Sequence, residues 1–294
     1  MSTIENKIAI NAAKFDKEIR KYFSDTDTDA APVFDAMKYS ITAGGKRIRP
    51  FLVYAFCDCF GGRREEADVY ACALEMIHTY SLIHDDLPCM DDDDMRRGNP
   101  TCHKVYGEAS ALLAGDSLLT YAFEIVCSSP HISDLNKVRA VSILSKYSGR
   151  YGMIGGQMID LLGEENGMSY ELMAKMHSLK TGALIKAACL LGCLSADVSD
   201  KEALEKVECY AEGIGRVFQL VDDILDVEAT SEELGKPAHS DEKNGKITYM
   251  SFMSPEMARE LASVMTEKAC SAVAEFDRGH VLSDLALYLR DRKK

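Results

Sequence analysis

The residues best equipped for chemistry stand close together. Between His78 and Arg97 the chain carries six aspartates, Asp85, Asp86 and Asp91 to Asp94, followed by Arg96 and Arg97. Clustered carboxylates repel one another and lose hydration when buried, so beside apolar Leu82 and Ile83 they need a cation or a hydrogen-bond network. A hard divalent ion such as magnesium suits oxygen-only ligands and is usually completed by water and substrate phosphates, which Arg96 and Arg97 also suit. A second cluster, Asp222, Asp223 and Asp226, lies far downstream in another apolar run, preceded by Gln219. Asp222 and Asp226 are four apart and share a helix face. Two such clusters on buried helices could face each other across a cavity and hold a metal diphosphate. Alone, either cluster reads as a solvated helix end, and for Asp92 to Asp94 that is the reading the residues favour. For the pair, Leu82, Ile83, Leu220, Val221, Ile224 and Leu225 argue for burial.

Both clusters need helices to hold them. Arg64 to Asp86 reads as one long helix, apolar toward its C-terminal half and ended by Pro88, and Ser199 to Glu228 reads as the helix of the second cluster. Upstream, Ile4, Ile8, Phe15, Ile19 and Phe23 recur at helical spacing. Pro32 suits the first turn of a second helix that Gly44 and Gly45 end. Pro50 to Phe60 is apolar enough to be buried on all sides. Small residues from Ala109 to Ala114 predict a close-packed helix that Gly115 and Asp116 interrupt. Further helices are expected over about 134–149, 151–162, 170–179 and 183–196. A polar loop over Ala229 to Lys246 could order over a ligand, and two more helices close the chain. No alternating β-branched run stands between turn signals. The expectation is an all-α chain, a single domain over residues 1–294 without a linker.

The net charge of −13 argues against nucleic acid or an anionic membrane surface as partner. Ten cysteines with no Cys-x-x-Cys pair read as reduced, mostly buried thiols of a cytoplasmic protein. The first 20 residues hold no signal-peptide core, and the longest apolar stretch, Ala183 to Ala196, is too short to span a bilayer, so no membrane insertion is expected.

Two shorter motifs complete the pattern. Gly44, Gly45, Lys46, Arg47, Ile48, Arg49 and Pro50 form a glycine-to-basic run, and Lys180, Thr181 and Gly182 stand between the acidic clusters. In this order, over nearly the whole chain, the motifs resemble those of the trans-isoprenyl diphosphate synthases, most closely the bacterial-type farnesyl diphosphate synthases. The resemblance implies a single-domain orthogonal helical bundle of the isoprenoid synthase type around a central cavity. It also implies magnesium as cofactor, isopentenyl diphosphate and allylic diphosphates as substrates, and a homodimer.

Roles follow from the resemblance residue by residue. Gly45, Lys46 and Arg49 match the isopentenyl diphosphate site, and His78 matches a further contact. From the residues alone, basic groups at a helix end merely complement its dipole, and His78 is an ordinary interior histidine. Asp85 and Asp91 match direct magnesium ligands with Asp86 in support, and Asp222, Asp223 and Asp226 match the second metal-binding set. Arg96 falls to the allylic diphosphate and Arg97 to the isopentenyl one. Lys180, Thr181 and Gln219 match the catalytic positions. There a backbone carbonyl, a hydroxyl and an amide oxygen would stabilise a developing carbocation. Their plain alternative is solvated helix surface. Lys236 and Lys246 match lysines that complete the allylic diphosphate site.

The four residues between Asp86 and Asp91 give the longer form of the first motif, which resembles bacterial farnesyl and plant-type geranylgeranyl synthases. If the growing tail runs down the helix of Asp85, Ser81 and Tyr80 lie about 6 to 8 Å below the reacting end, at roughly 1.5 Å per residue. Tyr80 is bulky enough to floor the pocket, which points to farnesyl diphosphate made from dimethylallyl and geranyl diphosphate. A geranylgeranyl diphosphate synthase differs only in pocket depth. A non-catalytic regulatory subunit is disfavoured by two intact acidic motifs, and a class I terpene cyclase by Lys46, Arg49 and Arg97. His84 beside Asp85 also matches the dyad of helical metal-dependent phosphohydrolases, but that chemistry needs further histidine ligands, and none lies near Asp222.

Overall fold

The computed structural model describes residues 3–24, 29–228 and 246–292. Its backbone divides into two compact units, bounded by Met1–Ser142 with Leu191–Asp197 and by Ile143–Leu190 with Val198–Lys294. The regular structure of the described residues is almost all helix, as the apolar spacing requires.

In the first unit, α1 (Thr3–Lys21), α2 (Ala31–Ile41) and α3 (Ile48–Cys59) precede α4 (Arg64–Asp85), the helix that delivers the first acidic motif. Burial of α4 is nearly complete over Tyr70 to Ile77, where a single acid, Glu75, interrupts the apolar run. A two-stranded hairpin follows, Met95–Arg96 (β1) against Asn99–Pro100 (β2). Its turn places Arg97 at φ 54° and Gly98 at φ 79°, and positive φ at both central residues is what a tight hairpin turn requires. Strands of two residues are too short to register as alternation, which is why the sequence pattern predicts none. After α5 (Cys102–Tyr106), α6 (Glu108–Ser128) runs without interruption through Gly115. This corrects the expected break. A Cβ on Gly115 would stand 2.1 Å from His84 Nε2, so the glycine serves a close approach of α6 to α4. Among the described helices, α6 alone is long and apolar enough to cross a bilayer, but it packs along α4 and buries Ala111, Ala114, Leu118, Ala122, Ile125 and Val126. Next, α7 (Asp134–Ser148) begins in this unit.

The second unit contains α8 (Met153–Asn166), α9 (Tyr170–Lys180), the start of α10 (Gly182–Leu194), α11 (Lys201–Glu228), a 3-10 turn at Tyr249–Ser251, α12 (Pro255–Val273) and α13 (Val281–Asp291). A stripe on α11 that includes Val207, Tyr210, Ile214, Val217, Leu220 and Ile224 is buried, and α11 packs along α12. Met173, Met176, Leu220, Ile224, Tyr249, Ala258 and Ala262 form a core cluster around the second acidic motif. All ten cysteines are free thiols, five of them buried: Cys57, Cys72, Cys102, Cys189 and Cys193.

Candidate active site

The glycine-to-basic run is the connection from α2 to α3. Gly44 and Gly45 take φ of 82° and 127°, and Arg47 follows at 50°. A left-handed arginine needs compensation. Its guanidinium donates to Glu75 at 2.7 Å, to Asp16 Oδ1 at 3.1 Å and to the Ile41 carbonyl at 2.7 Å. The turn that carries Lys46 and Arg49 is therefore anchored on α1, α2 and α4.

Arg49 Nη1 lies 3.2 Å from His78 Nε2. A guanidinium can only donate, so Nε2 accepts and the neutral ring carries its proton on Nδ1. Burial, Arg49 and Arg97 hold the His78 imidazole well below its usual range. Burial also pushes Arg49 down to about 10, which leaves it a cation at neutral pH. Arg49 Nε is buried without a hydrogen-bond partner. Arg97 donates to the Gly44 carbonyl, and its guanidinium passes so close to Gly45 that a Cβ there would meet Cζ at 2.8 Å. Gly45, Arg49, His78 and Arg97 are thus brought together in the first unit, with Lys46 exposed on the same turn. A half-buried cation with a buried donor to spare favours an anionic ligand.

Beyond α4 the chain folds back on itself. The Asp91 N–H donates to the Asp85 carbonyl at 2.9 Å, so these two half-buried residues are joined at the backbone. Asp86 is 3% exposed and accepts from Arg96 Nε at 2.8 Å. Burial raises its carboxyl while Arg96 opposes the rise. Asp86 therefore holds Arg96. Asp92, Asp93 and Asp94 are exposed, and Asp94 pairs with Lys104 at 2.7 Å, as a solvated run should. The His84 ring turns to α6, 3.0 Å from the Leu112 carbonyl. Tyr80 is buried one turn before it, ring edge to His84 at 5.7 Å, with its hydroxyl unpartnered; burial pushes that hydroxyl up to about 12. Ser81 turns its hydroxyl back to the His78 carbonyl at 2.9 Å.

In the second unit, α9 stops at Lys180 and α10 starts at Gly182. The predicted helix break at Thr181 is present. Glycines pack it: a Cβ on Gly156 would meet Lys180 N at 2.2 Å, and one on Gly215 would meet Gly182 Cα at 3.2 Å. The Lys180 amine pairs with Asp160 at 2.6 Å. The Thr181 hydroxyl donates to Gln219 Oε1 at 3.4 Å, and Gln219 Nε2 donates to Asp223 Oδ1 at 2.8 Å. Asp222 is engaged by Arg292, whose guanidinium is 5% exposed, donates at 2.6 Å and lies 4.1 Å over the Phe218 ring. Asp226 is buried and, with Asp223, Lys246 and Ser254, lines a cavity of about 460 Å³. Lys236 lies outside the described residues.

Among the described residues no group of three or more His, Cys, Asp or Glu forms a ready-made metal cage. Asp85 with Asp91, and Asp222 with Asp226 one turn apart, are oxygen-only pairs. Such pairs fit an ion that keeps water and takes its remaining ligands from a phosphate. Four residues with structural bearing on the site were not anticipated: Arg47, Glu75, Asp160 and Arg292. Glu75 and Asp160 had a readable signal, each being a lone acid in a largely apolar helical run. Arg292 had none, because its partner is 70 residues away.

The all-α scaffold is shared with solved isoprenyl diphosphate synthases. Residues 31–277 match the polyprenyl synthetase family model. The chain is 45% identical over 269 residues to farnesyl diphosphate synthase of Escherichia coli (strain K12), covering 90% of each protein. It is equally 45% identical over 258 residues to geranylgeranyl pyrophosphate synthase 7, chloroplastic, of Arabidopsis thaliana, covering 87% of this chain and 74% of that one. Among solved structures, an apo FPP/GFPP synthase from Zymomonas mobilis superposes with a TM-score of 0.87 at 33% identity, covering 98% of both chains. The chain belongs to the polyprenyl synthetase family and is a prenyltransferase.

Proposed function

We propose that the chain condenses isopentenyl diphosphate with dimethylallyl and geranyl diphosphate to give (E,E)-farnesyl diphosphate. The observation that carries the product length is Tyr80, 5% exposed on α4 and five residues before Asp85, where it can floor a pocket for the growing tail. The alternative product, geranylgeranyl diphosphate, has equal support from the plant relative's identity.

In this reading Asp85, Asp91, Asp222 and Asp226 hold magnesium, with Asp86 and Asp223 organising their neighbours. Bound magnesium would neutralise the leaving diphosphate and lower the barrier to ionisation. Arg96, held by Asp86, grips the allylic diphosphate together with Lys180 and Lys246, and Lys236 is assigned to the same group. Lys46, Arg49 and Arg97 bind isopentenyl diphosphate. His78 accepts from Arg49 and keeps that guanidinium in place. Thr181 and Gln219, with the Lys180 carbonyl, set dipoles toward the allylic cation while the isopentenyl double bond attacks it, and the proton then lost from the resulting tertiary cation passes to the released diphosphate. A homodimer fits the half-exposed Leu112 and Leu113 of α6 and the exposed Leu135 and Val138 of α7.

The test supplies purified protein with isopentenyl diphosphate, magnesium and one allylic starter at a time, then chromatographs the dephosphorylated products. Farnesol from dimethylallyl and geranyl starters, with little turnover of the farnesyl starter, is expected. Geranylgeraniol would overturn the product length, and no condensation at all would overturn the function.

A further inference from the structure

We infer that Asp223 is a positioning residue that fixes the orientation of the Gln219 amide, so that an oxygen and not an NH2 group faces Thr181 and the charge-building site. The inference rests on the prenyltransferase reading above. It assigns Asp223 a duty different from that of its neighbours Asp222 and Asp226.

Asp223 is 1% exposed. Its Oδ1 accepts from Gln219 Nε2 at 2.8 Å, one turn back on α11, and its Oδ2 accepts from the Tyr249 N–H at 2.9 Å. With Oδ2 accepting from the Tyr249 N–H, Oδ1 stands before Gln219 as an acceptor and selects the NH2 end of the facing amide. Gln219 Oε1 is left on the opposite side, 3.4 Å from the Thr181 hydroxyl. The flipped amide would set two oxygens against each other in a buried place, which is strongly unfavourable. Oriented as found, the amide offers the negative end of its dipole beside Thr181. Turned over, it would offer the positive end to a developing cation. The carboxylate is in turn held from the core. Tyr249 is 1% exposed and stacks on His177 with ring centroids 5.3 Å apart, so its N–H cannot drift from Oδ2 without unpacking the cluster.

Asp223→Asn is the informative substitution, being nearly isosteric. The new side chain keeps an oxygen for the Tyr249 N–H and turns an NH2 toward Gln219, which must then flip. The expected result is a fall in kcat of about 100-fold, the scale seen when one preorganised electrostatic group is lost. Calorimetric binding of geranyl thiolodiphosphate, an unreactive allylic analogue, should keep its magnesium dependence within about twofold. Asp222→Asn in parallel should lose that dependence. The double variant Asp223→Asn/Gln219→Glu restores an oxygen toward Thr181, because the new NH2 donates to one carboxylate oxygen and leaves the other. It should recover about tenfold of the lost kcat.

A double variant no faster than Asp223→Asn, or Asp223→Asn losing magnesium-dependent binding as Asp222→Asn does, overturns the assignment. Side-chain amide NMR of the unsubstituted protein gives a readout independent of turnover and of variant folding. One Gln219 Nε2 proton should be protected from solvent exchange, and absence of that protection also overturns it. If the unsubstituted protein makes no prenyl product, the underlying reaction fails while the amide signal still reports the orientation.

Discussion

Glu75→Gln tests the anchor beneath the basic turn. Arg47 and Glu75 pair at 2.7 Å with side chains 1% and 2% exposed, so solvent screens little of the interaction. Removing one charge of a buried pair typically costs about 3–5 kcal/mol, because the other stays buried without its partner. Asp16, 35% exposed and 3.0 Å from the same guanidinium, keeps part of the compensation. The expected loss is therefore at the low end, about 3 kcal/mol. With denaturant slopes of roughly 1–3 kcal/mol per molar, the urea midpoint should fall by about 1 M or more. The same variant should raise KM for isopentenyl diphosphate, since the left-handed turn carrying Lys46 and Arg49 loses its anchor, and leave KM for the allylic substrate nearly unchanged. Arg47→Met/Glu75→Met, which removes both charges together, should recover most of the stability. A loss below about 0.5 kcal/mol would refute the energetic reasoning. A full loss with an unchanged KM would refute the link from anchor to substrate site.

Three further outcomes are expected. Burial, with Lys180 nearby, holds His177 down at about 4 although Asp160 pulls it up. The unfolded chain takes up that proton near 6.5, so the neutral ring's contribution is complete above about pH 6.5 and lost as pH falls toward 4, about 3 kcal/mol in all. His177→Phe keeps the stack on Tyr249 and should flatten this part of the urea stability profile; an unchanged slope counts against the assignment. Asp160→Asn removes the 2.6 Å partner of Lys180 and should raise KM for the allylic diphosphate about tenfold, roughly 1.4 kcal/mol, with steady-state kinetics as the readout and an unmoved KM as the contrary result. Tyr80→Ala should shift the chromatographed products toward longer chains while lowering stability by about 3–5 kcal/mol; an unaltered product spectrum removes Tyr80 as the floor.

Much of the site was legible in the residues. Gly44 and Gly45 marked a turn, Pro88 marked the end of α4, and Lys180, Thr181 and Gly182 marked a helix break that the structure contains. Each is a local effect of backbone freedom, a missing donor or residue spacing, and such effects act within a few positions. Gly115 was misread for a related reason. In a helix it is as compatible with a close approach as with a stop, and only the His84 ring on the neighbouring helix distinguishes the two.

The amino-acid sequence alone determined the helices, the two acidic motifs and the basic turn, because the periodicities of 3.6 and of i,i+4 are written along the chain. Tertiary structure alone decided what each charge does. Asp86 and Asp91 are alike in composition, yet Asp86 holds Arg96 and Asp91 folds back onto Asp85. Asp222 and Asp223 are adjacent, but the helical rotation of about 100° per residue turns one to Arg292 and the other to Gln219 and Tyr249. Arg47 and Arg49 share a motif, and only Arg47 finds Glu75, 28 residues away. A carboxylate's role is set by the donor it meets, and while Gln219 and Arg96 are near in sequence to Asp223 and Asp86, Arg292, Arg47 and Tyr249 come from distant parts of the chain that folding alone brings into contact.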